Sequence, residues 1–140
     1  MNHETEATAS AVVARKRTPS TERRVAMMTT AGLHRWGDDP FALVDLGYRV
    51  IPGDTDLSTL SMTHSSVHFD RTGFQADVNT VFPLDRLREL ATEGVIGSVA
   101  ANHYSLMGAG WPPEQIGPTV DELVPHLVAD GVDAVCLVPV

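Results

Sequence analysis

The fold is decided by Val132-Asp133-Ala134-Val135-Cys136-Leu137-Val138-Pro139-Val140, the last stretch of the 140-residue chain. This run follows Asp130-Gly131, a pair that is typical of the end of a helix. It is apolar apart from Asp133, and a continuous apolar run of this length favours a strand buried on both faces of a parallel sheet. We therefore predict a buried strand in which Cys136, the one cysteine of the sequence, is a buried and inert thiol.

A helix and another strand are predicted upstream of this run. Residues 119–129 carry an apolar stripe at helical spacing, formed by Val120, Leu123, Val124 and Leu127. Pro125 lies inside this pattern and predicts a kink or a later start of the helix. Residues 95–100 are typical of a short strand. Strand, helix and strand in this order favour a right-handed βαβ unit and a mostly parallel sheet.

Earlier segments extend the same pattern. Residues 25–30 are an apolar run without charge, and Tyr48–Pro52 is a further strand candidate. A helix is predicted between Pro83 and Gly94, because leucines recur at helical spacing between these residues. We therefore predict an α/β domain over residues 23–140, with a mostly parallel sheet and flanking helices in an incomplete doubly wound arrangement. Residues 1–22 are small and polar, and we predict a disordered leader there.

Charge is distributed unevenly along the chain. Residues 1–24 carry five basic and three acidic side chains, a net charge of +2, whereas the whole chain carries −8, so residues 25–140 carry −10. Such an acidic body repels phosphates, which argues against a nucleic-acid partner. No apolar run is long enough to span a bilayer, and the N-terminal residues lack the layout of a signal peptide. We expect no membrane association and a cytoplasmic location.

Polar side chains follow two of the predicted strands. In open parallel sheets, ligands bind outside the carboxyl ends of the strands. His34 comes after the first strand and a glycine, whereas His103 and Tyr104 lie in a predicted loop over residues 103–110. The glycines of that loop permit close approach to a ligand, but they form neither a dinucleotide-binding fingerprint nor a P-loop. His34, His103 and Tyr104 are therefore candidates for binding substrate.

Two of the remaining candidates have alternative structural roles. His34 either donates a hydrogen bond to a substrate carboxylate, shuttles a proton near neutral pH, or caps its loop. Asn79, with Asp77 before it, either binds a substrate amine or fixes the turn ahead of the helix that starts near Pro83. Residues 77–82 are compatible with an extended segment.

The densest polar cluster lies in residues 63–70. If this segment were a strand, His64, His68 and Asp70 would share one face, because side chains alternate along a strand. Three such groups could hold Zn²⁺ or Fe²⁺, with His103 as a fourth ligand. The spacing matches no specific metal signature, and the alternative is a hydrogen-bonded polar loop that orients its neighbours. All three residues also stand as substrate-binding candidates.

Taken together, several of these segments resemble a known family. They are similar to selenoprotein B of the glycine/sarcosine/betaine reductases and to the related D-proline reductase subunit. The resemblance covers residues 24–140. The segments that carry it lie in residues 25–34, 48–52, 64–70, 77–87, 93–97, 103–108 and 131–135.

The resemblance implies a reductive chemistry. In these enzymes a partner subunit carries a pyruvoyl group, which forms a Schiff base with the substrate amine. A selenocysteine, or a cysteine in some members, attacks the α-carbon and displaces the amine, and a dithiol or a thioredoxin-like protein supplies the electrons. The implied partners are therefore a second reductase subunit, an electron donor and a small amino-acid-like substrate. No cofactor is expected in this chain itself.

The sequence departs from the family at the redox residue. In the family that residue follows the strand that here spans residues 135–140, so we expect it beyond Val140 and do not assign its role to Cys136. We expect the 140 residues to be the amino-terminal part of such a subunit, read short at a selenocysteine codon, and inactive alone. Two alternatives remain. One is a non-catalytic chain that docks a second subunit, and the other is a metal-dependent hydrolase or lyase built on His64, His68 and Asp70.

Overall fold

A five-stranded sheet built around one central strand organises the part of the chain that the computed structural model describes, residues 18–109 and 112–140. Short 3-10 turns and three helices connect the strands. The strands are β1 (Arg24–Thr29), β2 (Leu33–Arg35), β3 (Tyr48–Pro52), β4 (Leu60–Met62), β5 (Ser98–Val99), β6 (Asn102–Leu106) and β7 (Ala134–Val138), and the helices are α1 (Thr72–Ala76), α2 (Leu84–Thr92) and α3 (Gly117–Ala129).

Strand β1 is the centre of the sheet. Along one edge it pairs in parallel with β7, from Val25 opposite Ala134 to Thr29 opposite Val138. Its other edge pairs in parallel with β5 at the start and with β6 at the end. Strand β3 then pairs with β6 in the antiparallel direction, and β2 and β4 form a separate antiparallel pair. The prediction of an α/β domain with a mostly parallel sheet is confirmed.

Helices lie on the two faces of this sheet. Side chains alternate along β1, so Met27 belongs to the core cluster that Leu84 and Leu87 of α2 complete. Met28 points to the opposite face, where it lines a groove together with Leu123 of α3. The helices end as the sequence predicts, since Gly94 and Gly131 follow α2 and α3 with φ of +74° and +69°. Pro125 lies inside α3 without ending it.

The predicted third strand and the loop after it are wrong in their bounds. Only Ser98–Val99 of residues 95–100 is strand, and residues 103–106 of the predicted loop belong to β6, so His103 and Tyr104 are strand residues. The register between β1 and its neighbour slips by two residues around Ala100 and Ala101. The sequence did not predict β6 as a strand because its residues are largely polar and form no apolar pattern. Tertiary contacts bury these polar side chains on both faces of the sheet.

The predicted burial of β7 is also wrong. This strand pairs with β1 alone, so it is an edge strand of the described sheet. Leu137 is 68% exposed, Val135 is 37% exposed, and Cys136 is exposed as well. An apolar run does not distinguish a central strand from an exposed edge strand, which is why the sequence predicted a buried thiol.

Several shorter elements differ from the predictions. Residues 77–82 are not extended, because Asp77 accepts a hydrogen bond from the Asn79 N–H and caps a 3-10 turn. The small strands β2 and β4 and the short helix α1 have no clear signal in the sequence. Residues 1–17 of the predicted leader lie outside the described residues, and Ser20–Glu22 forms a 3-10 turn. No helix in the described part of the chain is long and apolar enough to cross a membrane.

Candidate functional site

Polar and sulfur-containing side chains gather where the parallel strands end. We call Thr30, His64, Ser65, Met107 and Val140 the carboxyl-edge cluster. The Val140 N–H donates to the Thr30 hydroxyl at 2.9 Å, and this hydroxyl lies 3.3 Å from the Val140 backbone oxygen. The Ser65 hydroxyl lies 3.3 Å from the Met107 sulfur. Open parallel sheets bind ligands at this edge, so this cluster is the candidate functional site.

Gly32 makes the cluster possible. Its N–H donates to the Leu106 carbonyl, and its own carbonyl accepts from the Thr63 N–H, both at 2.9 Å. A Cβ at this position would lie 2.4 Å from the Thr63 carbonyl oxygen, and its φ is +70°. Only glycine fits such a close approach at a positive φ. Gly32 therefore brings the segment that carries His64 against the ends of β1 and β6.

His64 is the most constrained side chain of the cluster. It is 6% exposed, and its ring lies 5.0 Å from that of Phe69. Its Nδ1 accepts the Ser66 N–H at 3.3 Å, and its Nε2 lies 3.4 Å from the Val140 backbone oxygen. The Arg71 guanidinium donates to the His64 carbonyl. The cluster thus presents an imidazole nitrogen at the carboxyl end of β7.

His34 lies beside the cluster on β2. Its Nε2 is 2.9 Å from the Thr63 hydroxyl and its Nδ1 is 3.2 Å from the Arg35 carbonyl. Both ring nitrogens therefore have partners within the chain. These contacts favour a role in fixing the loop next to His64.

His68 and Asp70 are not brought to the cluster. The segment around them is not a strand, so the shared face on which the metal interpretation depended does not form. His68 is exposed, and Asp70 accepts the Thr72 N–H, which holds the start of α1. Hydrogen bonds from the Thr72 side chain and backbone lower the pKa of the Asp70 carboxyl. Within the described ranges no three His, Cys, Asp or Glu side chains are placed to hold a metal ion.

His103 lies in the interior of the sheet. It is fully buried, and its Nδ1 accepts the Met27 N–H at 2.8 Å, at the point where β5 gives way to β6 and no backbone partner is in register. Its Nε2 has no hydrogen-bond partner among the described residues. Burial, with the Arg88 charge adding to it, lowers the pKa of His103 to about 4. A neutral histidine that replaces a ladder carbonyl is a structural group.

Tyr104 faces the other side of the sheet, away from the cluster. It is 2% exposed, packs edge-to-face on Tyr48, and lines a pocket with His126 and Asp130. Asp130 accepts hydrogen bonds from Arg24 at 2.6 Å and from the Asn102 N–H at 3.0 Å. Burial opposes its ionisation, but these hydrogen bonds prevail and lower the pKa of Asp130. This pocket therefore surrounds a structural ion pair at the amino ends of the strands.

Asn79 fixes the turn before α2. Its side-chain amide donates to Asp77 at 2.9 Å and to Asp85 at 3.0 Å, and its carbonyl oxygen accepts the Asp85 N–H at 3.1 Å. Both ends of the amide therefore have partners within the chain. The turn-fixing alternative agrees with these contacts.

An apolar groove of about 470 Å³ lies between α3 and β7. We call it the α3–β7 groove, and its walls include Met28, Val120, Val124, Val135 and Leu137. Val124 is 49% exposed, and exposed apolar side chains in a continuous patch mark a surface for contacts. Thr30 lines the end of the groove, which therefore opens next to the carboxyl-edge cluster.

The structure thus brings His64 and, beside it, His34 to one edge, and it separates the other candidates. Sequence reasoning missed Thr30, Ser65 and Met107. The feature that could have identified Thr30 and Met107 is their position in the sequence, because they directly follow β1 and β6. Finding them required the correct end of β6.

Comparison with known proteins gives consistent matches. The sequence profile of the family described as glycine/sarcosine/betaine reductase selenoprotein B matches residues 47–140. D-proline reductase subunit gamma of Acetoanaerobium sticklandii is 37% identical over 118 residues, which are 81% of this chain and 47% of that protein. Glycine reductase complex component B subunit gamma of Peptoclostridium acidaminophilum is 30% identical over 118 residues, 81% of this chain and 27% of that protein.

A third relative matches a shorter part of the chain. Betaine reductase complex component B subunit beta of Peptoclostridium acidaminophilum is 36% identical over 76 residues, which are 53% of this chain and 17% of that protein. The chain therefore spans less than half the length of each of these three relatives. No solved structure matches it.

Proposed function

Because this chain belongs to the glycine/sarcosine/betaine reductase selenoprotein B family, we propose that it is part of a reductase subunit that cleaves a C–N bond of a small amino-acid-like substrate. A dithiol is the electron donor, and it becomes a disulfide as the carbon–nitrogen bond is replaced by a carbon–hydrogen bond. The pyruvoyl group that activates the substrate resides on a partner subunit. The relatives are named as components of reductase complexes, which supports a partner.

The carboxyl-edge cluster is the observation that carries this proposal. It lies at the carboxyl end of β1, β6 and β7, where the sheet offers Thr30, His64 and Ser65 to a bound molecule. We propose that the reactive selenol or thiol follows β7 and meets the substrate at this edge. Cys136 lies within β7, opposite Met27, and we assign it no part in the reaction.

Substrate turnover tests the proposal. The full-length product of the native gene, combined with its partner subunits and a dithiol, is incubated in turn with glycine, sarcosine, betaine and D-proline. We expect one of them to be reduced, with one disulfide formed for each C–N bond cleaved, both measured by mass spectrometry. The 140-residue chain alone, as the control, is expected to show no turnover. A complete complex that reduces none of the four would contradict the proposal.

Docking of a second subunit is the alternative function, and the α3–β7 groove favours it. The outer edge of β7 has no strand beside it in the described sheet, and apolar side chains flank that edge on α3. Peptide groups along a free edge can pair with another strand, and the groove would then be buried by apolar side chains of a partner reductase subunit.

A charge placed in the groove tests this docking. Leu137→Lys is expected to weaken association with the partner subunit at least about tenfold, because the ammonium group would have to leave water. Val67→Lys is the control, since Val67 is 88% exposed and does not line the groove. Light scattering of the mixed subunits measures both variants. Equal association of the two variants would argue against the groove as the docking surface.

A further inference from the structure

Arg71 lies beside the carboxyl-edge cluster and forms no ion pair with the described residues. Five other arginines in residues 18–109 and 112–140 pair with carboxylates, namely Arg24, Arg35, Arg49, Arg86 and Arg88. Arg23 also lacks a carboxylate, but it lies at the amino end of β1 and donates to the Thr18 carbonyl. Arg71 is therefore the unpaired guanidinium at the edge where ligands of open parallel sheets bind.

The fold fixes Arg71 at both ends of its side chain. Its backbone carbonyl accepts the Gln75 N–H at 2.9 Å, at the start of α1. Its Nη2 donates to the carbonyl of His64, which closes the loop of residues 64–71. Inside this loop the His64 ring packs against Phe69. The guanidinium is therefore held against the backbone of a residue of the cluster.

The guanidinium still has donors to offer. An arginine carries five N–H groups in a planar fork, and the contact with His64 uses Nη2 only. Across the described ranges Nε and Nη1 have no acceptor. Arg71 is exposed, so a molecule from solvent can reach these donors. Carboxylates are among the acceptors that such a fork binds most strongly.

No carboxylate of the described residues fills this role. Asp70 precedes Arg71 in the sequence, but its carboxylate accepts the Thr72 N–H and forms no ion pair with Arg71. The three relatives are named as D-proline, glycine and betaine reductases or their components. Each of those three small molecules carries a carboxylate on the α-carbon. A ligand of this class would supply the acceptor that Arg71 lacks.

His34 was the other candidate for binding a substrate carboxylate. Its Nε2 lies 2.9 Å from the Thr63 hydroxyl and its Nδ1 lies 3.2 Å from the Arg35 carbonyl. Both nitrogens are therefore used within the chain, whereas Arg71 keeps a formal positive charge and unused N–H groups.

We propose that Arg71 binds the carboxylate of the substrate beside the carboxyl-edge cluster and so selects amino acids over amines that lack this group. This inference rests on the proposed function, in which the reaction takes place at this edge. The carboxylate is bonded to the α-carbon, so a charge-assisted hydrogen bond to it also holds the carbon that reacts. No covalent bond to Arg71 forms or breaks. Loss of such a hydrogen bond corresponds to about 10- to 100-fold in affinity.

Removal of the guanidinium tests this role in the full-length chain, assembled with its partner subunits and supplied with a dithiol. The probe is whichever of glycine, sarcosine, betaine and D-proline the unsubstituted complex reduces. We expect Arg71→Gln to raise KM about 10- to 100-fold with little change in kcat, because a contact made equally in the ground and transition states affects KM. Arg71→Lys keeps the charge but loses the planar fork, so its KM should lie between the two.

Arg86→Gln is the matched control for the loss of one positive charge. Arg86 is also an exposed arginine, but it pairs with Glu89 at 2.7 Å on α2. We expect this variant to keep the KM and kcat of the unsubstituted complex. A rise in KM that it shares with Arg71→Gln would show that net charge, and not a contact with Arg71, governs binding.

The amide of the same substrate separates carboxylate binding from a structural role of Arg71. In this analogue a neutral carboxamide replaces the carboxylate, and the rest of the molecule is unchanged. As a competitive inhibitor it should have the same Ki in Arg71→Gln and in the unsubstituted complex. Damage to the loop around His64 would instead raise the KM of the acid and the Ki of the amide together. Light scattering checks that the Arg71→Gln subunit assembles with its partners.

Three further results would overturn the inference while the proposed function stands. They are an unchanged KM in Arg71→Gln, an equal rise of KM and of the Ki of the amide, and a failure of this variant to assemble, which would place Arg71 in a subunit interface. Absence of turnover in the unsubstituted complex would instead remove the proposed function and this inference with it.

Discussion

Replacement of Gly32 by alanine is expected to lower the free energy of unfolding by about 3 kcal/mol and to disrupt the carboxyl-edge cluster. Two costs combine at this position. A residue with a Cβ loses roughly 1–2 kcal/mol at a positive φ. The new Cβ would also lie 2.4 Å from the Thr63 carbonyl oxygen, and displacing that backbone costs about 1–3 kcal/mol more. Urea unfolding of the variant measures the total.

Gly94→Ala is the matched control. Gly94 has φ of +74°, against +70° for Gly32, and nothing lies within 4 Å of the Cβ that alanine would add. We expect it to lose only the conformational part, about 1–2 kcal/mol. The difference between the two variants therefore isolates the contact with Thr63. Equal losses would mean that the backbone around Thr63 moves freely and that Gly32 does not define the cluster.

The second large effect is a loss of stability at acid pH that depends on His103. Burial lowers the pKa of His103 to about 4 in the folded chain, whereas an unfolded histidine has a pKa near 6.5. The unfolded chain therefore binds the proton first, and the free energy of unfolding falls as pH drops from about 6.5 to about 4. At about 1.4 kcal/mol per pKa unit the loss amounts to roughly 3 kcal/mol.

Two variants of His103 separate titration from hydrogen bonding. In His103→Asn the side-chain carbonyl takes the place of Nδ1 and still accepts the Met27 N–H, but it does not titrate. This variant should lose the His103 contribution to the pH dependence. In His103→Leu the buried Met27 N–H has no acceptor, so we expect the free energy of unfolding to fall by about 2–4 kcal/mol at pH 7.5.

Urea midpoints between pH 7.5 and 4.5 measure these effects. The comparison with His103→Asn removes the contributions of the carboxylates, which lose their own stabilising ionisation at the lower end of the range. An identical pH dependence in the unsubstituted chain and in His103→Asn would show that His103 is not the group that titrates.

The candidate site was predictable in part, and His64 and His103 show the limit. Both are single histidines in polar segments, and nothing local in the sequence distinguishes them. His64 reaches the edge because Gly32 permits a close approach between segments that are far apart in sequence. His103 is taken into the interior because β5 and β6 slip in register against β1 and leave the Met27 N–H to be paired by a side chain.

The sequence by itself determined the α/β class, the strands β1, β3 and β7, the helices α2 and α3 with their glycine ends, and the resemblance to the reductase family. These features depend on short-range apolar periodicity and on backbone preferences, which neighbouring residues fix. Only the tertiary structure decided that β6 is a strand, that β7 lies at an edge, and that His64 meets the end of β7. Those outcomes depend on which distant segments pack together, and no local pattern encodes that choice.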